Sequence, residues 1–148
     1  MLIYPQYPLK SRKNRHSHQT ELWDIVRKKW VLLTPEEYVR QHLIHYLIYE
    51  KHYPHASILV EKEINLFYTK KRFDVAVLNK EQRFLLIAEC KAPTVVLDAH
   101  VLEQIIHYNI PLNAETLVIT NGIKQYVFEK HNQGWKNVED IKIFNDYS

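Results

Sequence analysis

Apolar residues recur along this chain with two different periods, and the switches between them mark out its elements. In TPEEYVRQHLIHYLIYEKHYP (34–54), Val39, Leu43, Ile44, Leu47 and Ile48 fall at helical spacing. Thr34 suits an N-cap, Pro35 the first helical position, and Glu37 the third, where its side chain closes a capping box. Pro54 disfavours helical backbone in Tyr53 before it, so the helix is expected to end there. Alternation takes over in SILVEKEINLFY (57–68), with Ile58, Val60, Lys62 and Ile64 on one side. RFDVAVL (72–78) reads as a second strand and the apolar run of RFLLIAEC (83–90) as a third, buried one. The NKEQ between those two runs is short and polar, as a hairpin loop requires. LDAHVLEQIIHYNIPL (97–112) reads as a second helix with Asp98 as N-cap. TLVIT (116–120) and KQYVFEK (124–130) flank the turn pair Asn121-Gly122 as two further strands, and the tail IKIFNDY suits an edge strand.

The expected class is therefore α/β (α+β): a mixed central sheet flanked by helices, in the order α-β-β-β-α-β-β. One domain over 21–148 follows a basic, irregular arm over 1–20. ELWDIVRKKWVLL (21–33) suits a short helix and an extended lead-in equally well.

Length and composition narrow the function classes. The 148 residues suffice for one domain with a real core, and 46% apolar with 25% charged residues is ordinary for a globular chain. No apolar run approaches the roughly 18 residues that span a bilayer, and MLIYPQYPLK has no signal-peptide layout, so a cytoplasmic location without membrane contact is expected. The single cysteine rules out an internal disulfide and a zinc site built mainly from thiolates. The only two glycines, Gly122 and Gly134, exclude a glycine-rich phosphate loop. Net charge is only +3, yet LKSRKNRHSH (9–18), VRKKW (26–30) and TKKR (69–72) concentrate positive charge. Each alone is an ordinary solvated surface; three together favour a polyanionic partner.

Candidate chemistry centres on FLLIAECKAP (84–93). Glu89 and Lys91 are one residue apart in a strand and so share a face, while Cys90 points the other way into the core. If NKEQ closes a hairpin, Asp74 lies directly or diagonally opposite Glu89, at roughly 5–8 Å. Two carboxylates that close raise one another's pKa unless a cation sits between them, and a hard divalent ion with oxygen ligands and water suits such a pair. The simpler account makes Asp74 a strand-entry residue and Glu89–Lys91 a same-face ion pair. Gln104 and Tyr108 share one helical face and carry donors suited to phosphate oxygen. The pairs His42–His45 and His52–His55 offer two zinc ligands each, with no third evident.

Asp74, Glu89-Cys90-Lys91 and Gln104 with Tyr108, in this order, resemble the D…(D/E)xK…QxxxY pattern of the PD-(D/E)XK nuclease superfamily. More narrowly, LTPEEYVRQ, KRFDVAVLNKEQRFLLIAECKAP, QIIHYN and ITNG resemble the N-terminal nuclease domain of the restriction subunit of type I restriction–modification enzymes, from about Trp30 to Gly122. Phe73 stands where many members of the superfamily carry proline, and type I subunits continue into a helicase motor. The resemblance implies a restriction-endonuclease-like core and Mg²⁺-dependent (or Mn²⁺-dependent) hydrolysis of DNA. Asp74 and Glu89 would ligate the ion, helped by the Cys90 carbonyl. Lys91 would activate water or stabilise developing charge, and Gln104 and Tyr108 would position the DNA backbone. Glu37 has two readings, metal ligand or helix cap, with Glu36 as the spare acid and Arg40 placed to pair with either. Partners implied are DNA, a separate translocase or specificity subunit, and compatibly a second copy of the chain. The alternative function is a DNA-binding or interaction module that keeps the nuclease fold and is catalytically silent or dependent on a partner.

Overall fold

A computed structural model describes residues 1–66, 68–132 and 134–147, so position 67 of the expected 57–68 strand lies outside the described residues. Three N-terminal strands, β1 (Ser11–Lys13), β2 (Thr20–Asp24) and β3 (Lys29–Leu32), form an antiparallel ribbon in that order. Helix α1 (Pro35–Tyr49) follows, then β4 (Ile58–Leu66), β5 (Thr69–Leu78), β6 (Phe84–Cys90), α2 (Ala99–Asn109), β7 (Thr116–Thr120), β8 (Gln125–His131) and β9 (Gly134–Val138). The six strands β4 to β9 make one sheet in sequence order, antiparallel throughout except for the parallel pair β6–β7 that α2 connects.

The mixed α+β class matches expectation, while the observed order carries β1–β3 ahead of α1 and β9 after β8, which the expected α-β-β-β-α-β-β lacks. Both helices bury an apolar face against the sheet. On one side Val39, Leu43, Ile44 and Leu47 of α1 pack with Val75, Val77, Leu86, Ala88 and Val118. On the other, Val101, Leu102 and Ile105 of α2 pack with Phe73, Ala76, Ile87, Leu117 and Ile119. Strands covered on both faces read as continuous apolar runs, which is why FLLIAEC and TLVIT show no alternation.

Local chemistry accounts for most boundaries. The Thr34 hydroxyl accepts the Glu37 N–H at 3.0 Å and Asp98 accepts the Val101 N–H at 2.9 Å, each satisfying an orphan donor of the first turn. The Asn79 carboxamide oxygen accepts the Arg83 N–H to close the β5–β6 hairpin. Helix α1 stops at Tyr49, earlier than Pro54 alone suggests, and left-handed His52 (φ 61°) turns the chain away.

Several expectations give way. Residues 1–20 are no irregular arm: Ser11–Lys13 is a strand, Tyr4 is buried beside Thr120, and the Ile3 N–H donates to the Gly122 carbonyl at 2.7 Å. The 21–33 segment is extended and bent on itself. The Asp24 carboxylate accepts the Val26 and Arg27 N–H groups, and left-handed Lys28 completes the turn. The tail is a 3₁₀ turn instead of a strand. The 3₁₀ turn spans Phe144–Asp146; Phe144 and Tyr147 pack on Tyr53, the Tyr147 hydroxyl bonds to Thr116, and Ile141 before the turn is buried in the α1-side core. Ile64 does not share a side with Ile58 and Val60: it packs with the α2-facing cluster. The reason is Glu61, whose left-handed backbone (φ 48°) breaks the alternation of β4. Phe73 and Val75 likewise fall on opposite sides, so both strands change phase at the rung Glu61–Asp74, missing between Val60↔Val75 and Lys62↔Phe73.

Gly122, in the Asn121-Gly122 turn, has φ 84°, and a Cβ there would lie 2.6 Å from Leu2 Cδ2 and 3.0 Å from Val39 Cγ2. Gly122→Ala should therefore lose about 1–3 kcal/mol of stability, read from urea denaturation.

Candidate active site

The sheet brings the distant acids together at the carboxyl end of the parallel pair. Val75 pairs with Ala88, Ala76 with Ile87 and Val77 with Leu86; one step further along this register, Asp74 stands opposite Glu89. The Cys90 N–H donates to Asp74 Oδ2 at 2.7 Å, and the Lys91 N–H donates to the Thr120 carbonyl at 2.8 Å, so backbone bonds fix the strand end on both sides. Helix α2 folds back over this end. The Tyr108 hydroxyl accepts the Arg72 N–H at 3.1 Å, and the Lys71 ammonium sits 4.0 Å from the Tyr108 ring centroid. Asn121 holds the connecting loop by donating to the Val95 carbonyl at 2.8 Å.

Arg72, Asp74, Glu89, Lys91, Gln104 and Tyr108 line one open cleft of about 400 Å³. All five side chains singled out in the sequence as catalytic candidates are among them. The Cys90 side chain points away, into the α1-side core, and burial pushes its thiol well above the ordinary range.

Electrostatics in the cleft is dominated by the acid pair. Burial, then the Asp74 charge and a hydrogen bond shared with Asp74, push the Glu89 carboxyl up from 4.5 to about 8, with Lys91 opposing. Among the described residues Glu89 has no ion-pair partner, whereas Asp74 Oδ1 meets Arg40 Nη2 at 3.2 Å. A half-buried carboxyl that keeps a proton because burial disfavours its charge and its neighbour is also acidic is a group that an added cation would ionise. The donors near it are all oxygens: two carboxylates and the Cys90 carbonyl, which suits a hard divalent ion. Among the described residues no three His, Cys, Asp or Glu side chains cluster as a metal cage, so water would have to complete the shell.

Glu37 stands apart from this group. Its carboxylate is buried between Arg27 Nη2 (3.1 Å), Arg40 Nη1 (2.8 Å) and Gln41 Nε2 (3.2 Å). The capping box is thus half made, because the Glu37 side chain that would return to Thr34 is spent on the arginines. Glu36 is the acid of α1 nearer the cleft. Burial and then the Asp74 charge raise its pKa, while Arg40 and Lys91 pull it down. Arg40, almost fully buried, also meets Glu61 at 3.3 Å and Glu36 at 3.4 Å. His42 and His45 each bond a carbonyl four residues back through Nδ1 and pack on Tyr7.

Sequence reasoning missed Glu61 and Arg72. Glu61 carried no signal, since its placement depends on a left-handed residue inside a strand. Arg72 belonged to the TKKR run noted for charge alone, although its position two residues before Asp74 marks the same edge.

An α+β domain with a lysine and two facing carboxylates at the end of a parallel strand pair, roofed by a Gln/Tyr helix, is the class this geometry defines. The family model for the type I restriction enzyme R protein N terminus (HSDR_N) matches residues 35–142, and the chain belongs to that family. A comparison with curated proteins finds no match. Among the described residues no helix is long and apolar enough to cross a membrane.

Because the folded state binds the Glu89 proton more tightly than the unfolded chain, the stability it contributes is full below about 4.5 and is lost as pH rises toward about 8. Glu89→Gln, which mimics the protonated acid, should match the parent near the lower limit. In EDTA near the upper limit it should melt higher, by roughly 2–4 °C for each kcal/mol recovered, read by thermal denaturation.

Proposed function

We propose that this chain is a Mg²⁺-dependent nuclease domain that hydrolyses phosphodiester bonds of DNA at the Asp74–Glu89–Lys91 cleft. The observation that carries it is the pair of facing carboxylates, one of them without a cation partner, in the same cleft as a lysine on the same strand face. Membership of the type I R-protein family supports DNA as the substrate, and further subunits as partners.

Asp74, Glu89 and the Cys90 carbonyl would hold Mg²⁺, with Glu36 as a further acid within electrostatic reach. Bound there, the ion would polarise the phosphate and lower the pKa of water. Lys91, on the face of Glu89, is placed to orient the attacking water and to neutralise charge that grows on the phosphoryl oxygens. The water oxygen bonds to phosphorus, the ester P–O bond breaks, and the leaving oxygen takes up a proton. Tyr108 accepts from the Arg72 backbone, which leaves its own O–H free to donate to a phosphate oxygen, and exposed Gln104 offers its amide beside it. Lys71 and Arg72 bring the third basic run to the mouth of the cleft.

A second reading, a nucleic-acid-binding module without turnover, draws on Arg40. Its guanidinium already partly neutralises Asp74, so the metal-free site is less starved of positive charge than a bare acid pair. Calorimetry with Mn²⁺ separates the two: heat of binding that disappears in Asp74→Asn supports the nuclease, and no binding at millimolar ion supports the module. Lys91→Ala should lower Mg²⁺-dependent plasmid nicking by about 10²-fold or more with unchanged melting behaviour, and Asp74→Asn should lower it as much while also melting lower, because it takes a carboxylate out of the Arg40 cluster. Tyr108→Phe should lower it less, by about tenfold, since it removes one neutral hydrogen bond. Cleavage by Lys91→Ala at the parent rate would dismiss the assignment.

A further inference from the structure

The basic runs at 9–18 and 26–30 fold into one object, the β1–β3 ribbon. Residues 10–30 hold seven of the twenty Lys/Arg and two of the seventeen Asp/Glu, so this segment is +5 while the rest of the chain sums to −2. The rest of the chain is therefore net negative, and beside Lys71, Arg72 and Lys91 the cleft edge carries Glu36, Glu61, Asp74 and Glu89, which repel a phosphate backbone. The ribbon adds attraction against that repulsion. Arg27 is occupied by Asp24, Glu37 and Glu61, and Arg12 by Glu21. Lys10, Lys13, Arg15, Lys28 and Lys29 are exposed and, among the described residues, form no ion pair.

The ribbon is also stiffened and aimed. Trp23 and Trp30 face one another across β2–β3 with ring centroids 5.4 Å apart, and Lys10 (5.6 and 5.5 Å) and Arg12 (4.4 Å) lie on their rings. Arg27 bolts the ribbon to α1 through Glu37 and to β4 through Glu61, each at 3.1 Å. Between β3 and the start of α1 runs a second open cleft of about 610 Å³, lined on the ribbon side by Lys29 and Trp30 and on the other by Glu36, Arg40 and Ala92, the neighbour of Lys91. Arg40 of its lining is ion-paired at 3.2 Å with Asp74 of the catalytic cleft. The family match begins only at residue 35, so nothing in it accounts for this ribbon.

We propose that the β1–β3 ribbon is the nucleic-acid grip of this chain, binding the phosphate backbone electrostatically and feeding it along the second cleft to the Asp74–Glu89–Lys91 site. The proposal rests on the nuclease reading for the fate of the strand and on the ribbon's own charge for its capture.

The test is binding without cleavage. A fluorescein-labelled duplex is titrated with the full chain in EDTA, and anisotropy is followed over a range of KCl. The ribbon variant is Lys13→Ala/Arg15→Ala/Lys28→Asn/Lys29→Ala, with asparagine at the left-handed position (φ 54°) because it tolerates that backbone. It should bind at least about tenfold more weakly at roughly 0.1 M salt and lower the log–log salt slope by about 2–4. A charge-matched variant on the far hairpin and β8–β9, Lys80→Ala/Arg83→Ala/Lys130→Ala/Lys136→Ala, should stay within about twofold of the parent. Parent-like binding by a folded ribbon variant, an equal loss in the charge-matched variant, or capture of anionic phospholipid vesicles but no DNA overturns the ribbon assignment. Asp74→Asn runs alongside: if it still cleaves, the nuclease reading falls while the ribbon result stands, and if it binds but does not cleave the two roles separate.

Discussion

A single buried guanidinium organises this molecule. Arg40 meets Glu36, Glu37, Glu61 and Asp74, carboxylates drawn from α1, β4 and β5, and Arg27 extends the same network to Asp24 of the ribbon. Removing one member of a buried ionic cluster leaves the others unpaired, at several kcal/mol, so these elements are bound to one another far more strictly than their apolar contacts alone demand. The arrangement fixes where Asp74 stands, and every property of the cleft follows from that position. It also leaves Glu89 as the acid that neither arginine reaches.

The sheet's irregularity serves the same end. In a regular β4–β5 ladder Glu61 and Asp74, directly opposed, would both point to the face opposite Val60 and Val75, toward α2. Left-handed backbone at Glu61 breaks the rung, both strands change phase there, and the two carboxylates turn to the strip where α1, β5 and β6 meet. Glu61 then accepts Arg27, Arg40 and Arg72 together. A non-glycine residue in that conformation carries strain, which the three charge-assisted contacts offset.

What was legible in the sequence is what local chemistry decides. Thr34-Pro35, Asp98, NKEQ and Asn121-Gly122 announce caps and turns through groups that act within a few residues, and the doubly covered strands announce themselves by unbroken apolar runs. The opposition of Asp74 and Glu89 was readable because a short hairpin loop leaves little freedom of register. The ribbon was ambiguous because two short strands around an Asp24 turn put Leu22, Ile25, Val26 and Trp30 near helical spacing. The Glu37 side chain was undecidable locally, since Arg27, one of the two arginines that claim its carboxylate, lies on the other side of the Thr34 cap. The tail misled because Phe144 and Tyr147, three apart, fit a strand only loosely and a 3₁₀ turn well.

Cys90 gives the edge of this sheet a built-in clock. The only thiol of the chain is buried on the core side of the strand whose other face carries Glu89, and its N–H is bonded to Asp74. A disulfide reagent can reach that sulfur only when β6 lifts away from α1, so the rate of thiol labelling measures how often the strand that holds the acids comes loose. Any cation that ties Asp74 to Glu89 slows that rate, and occupancy becomes visible without a single bond being cut.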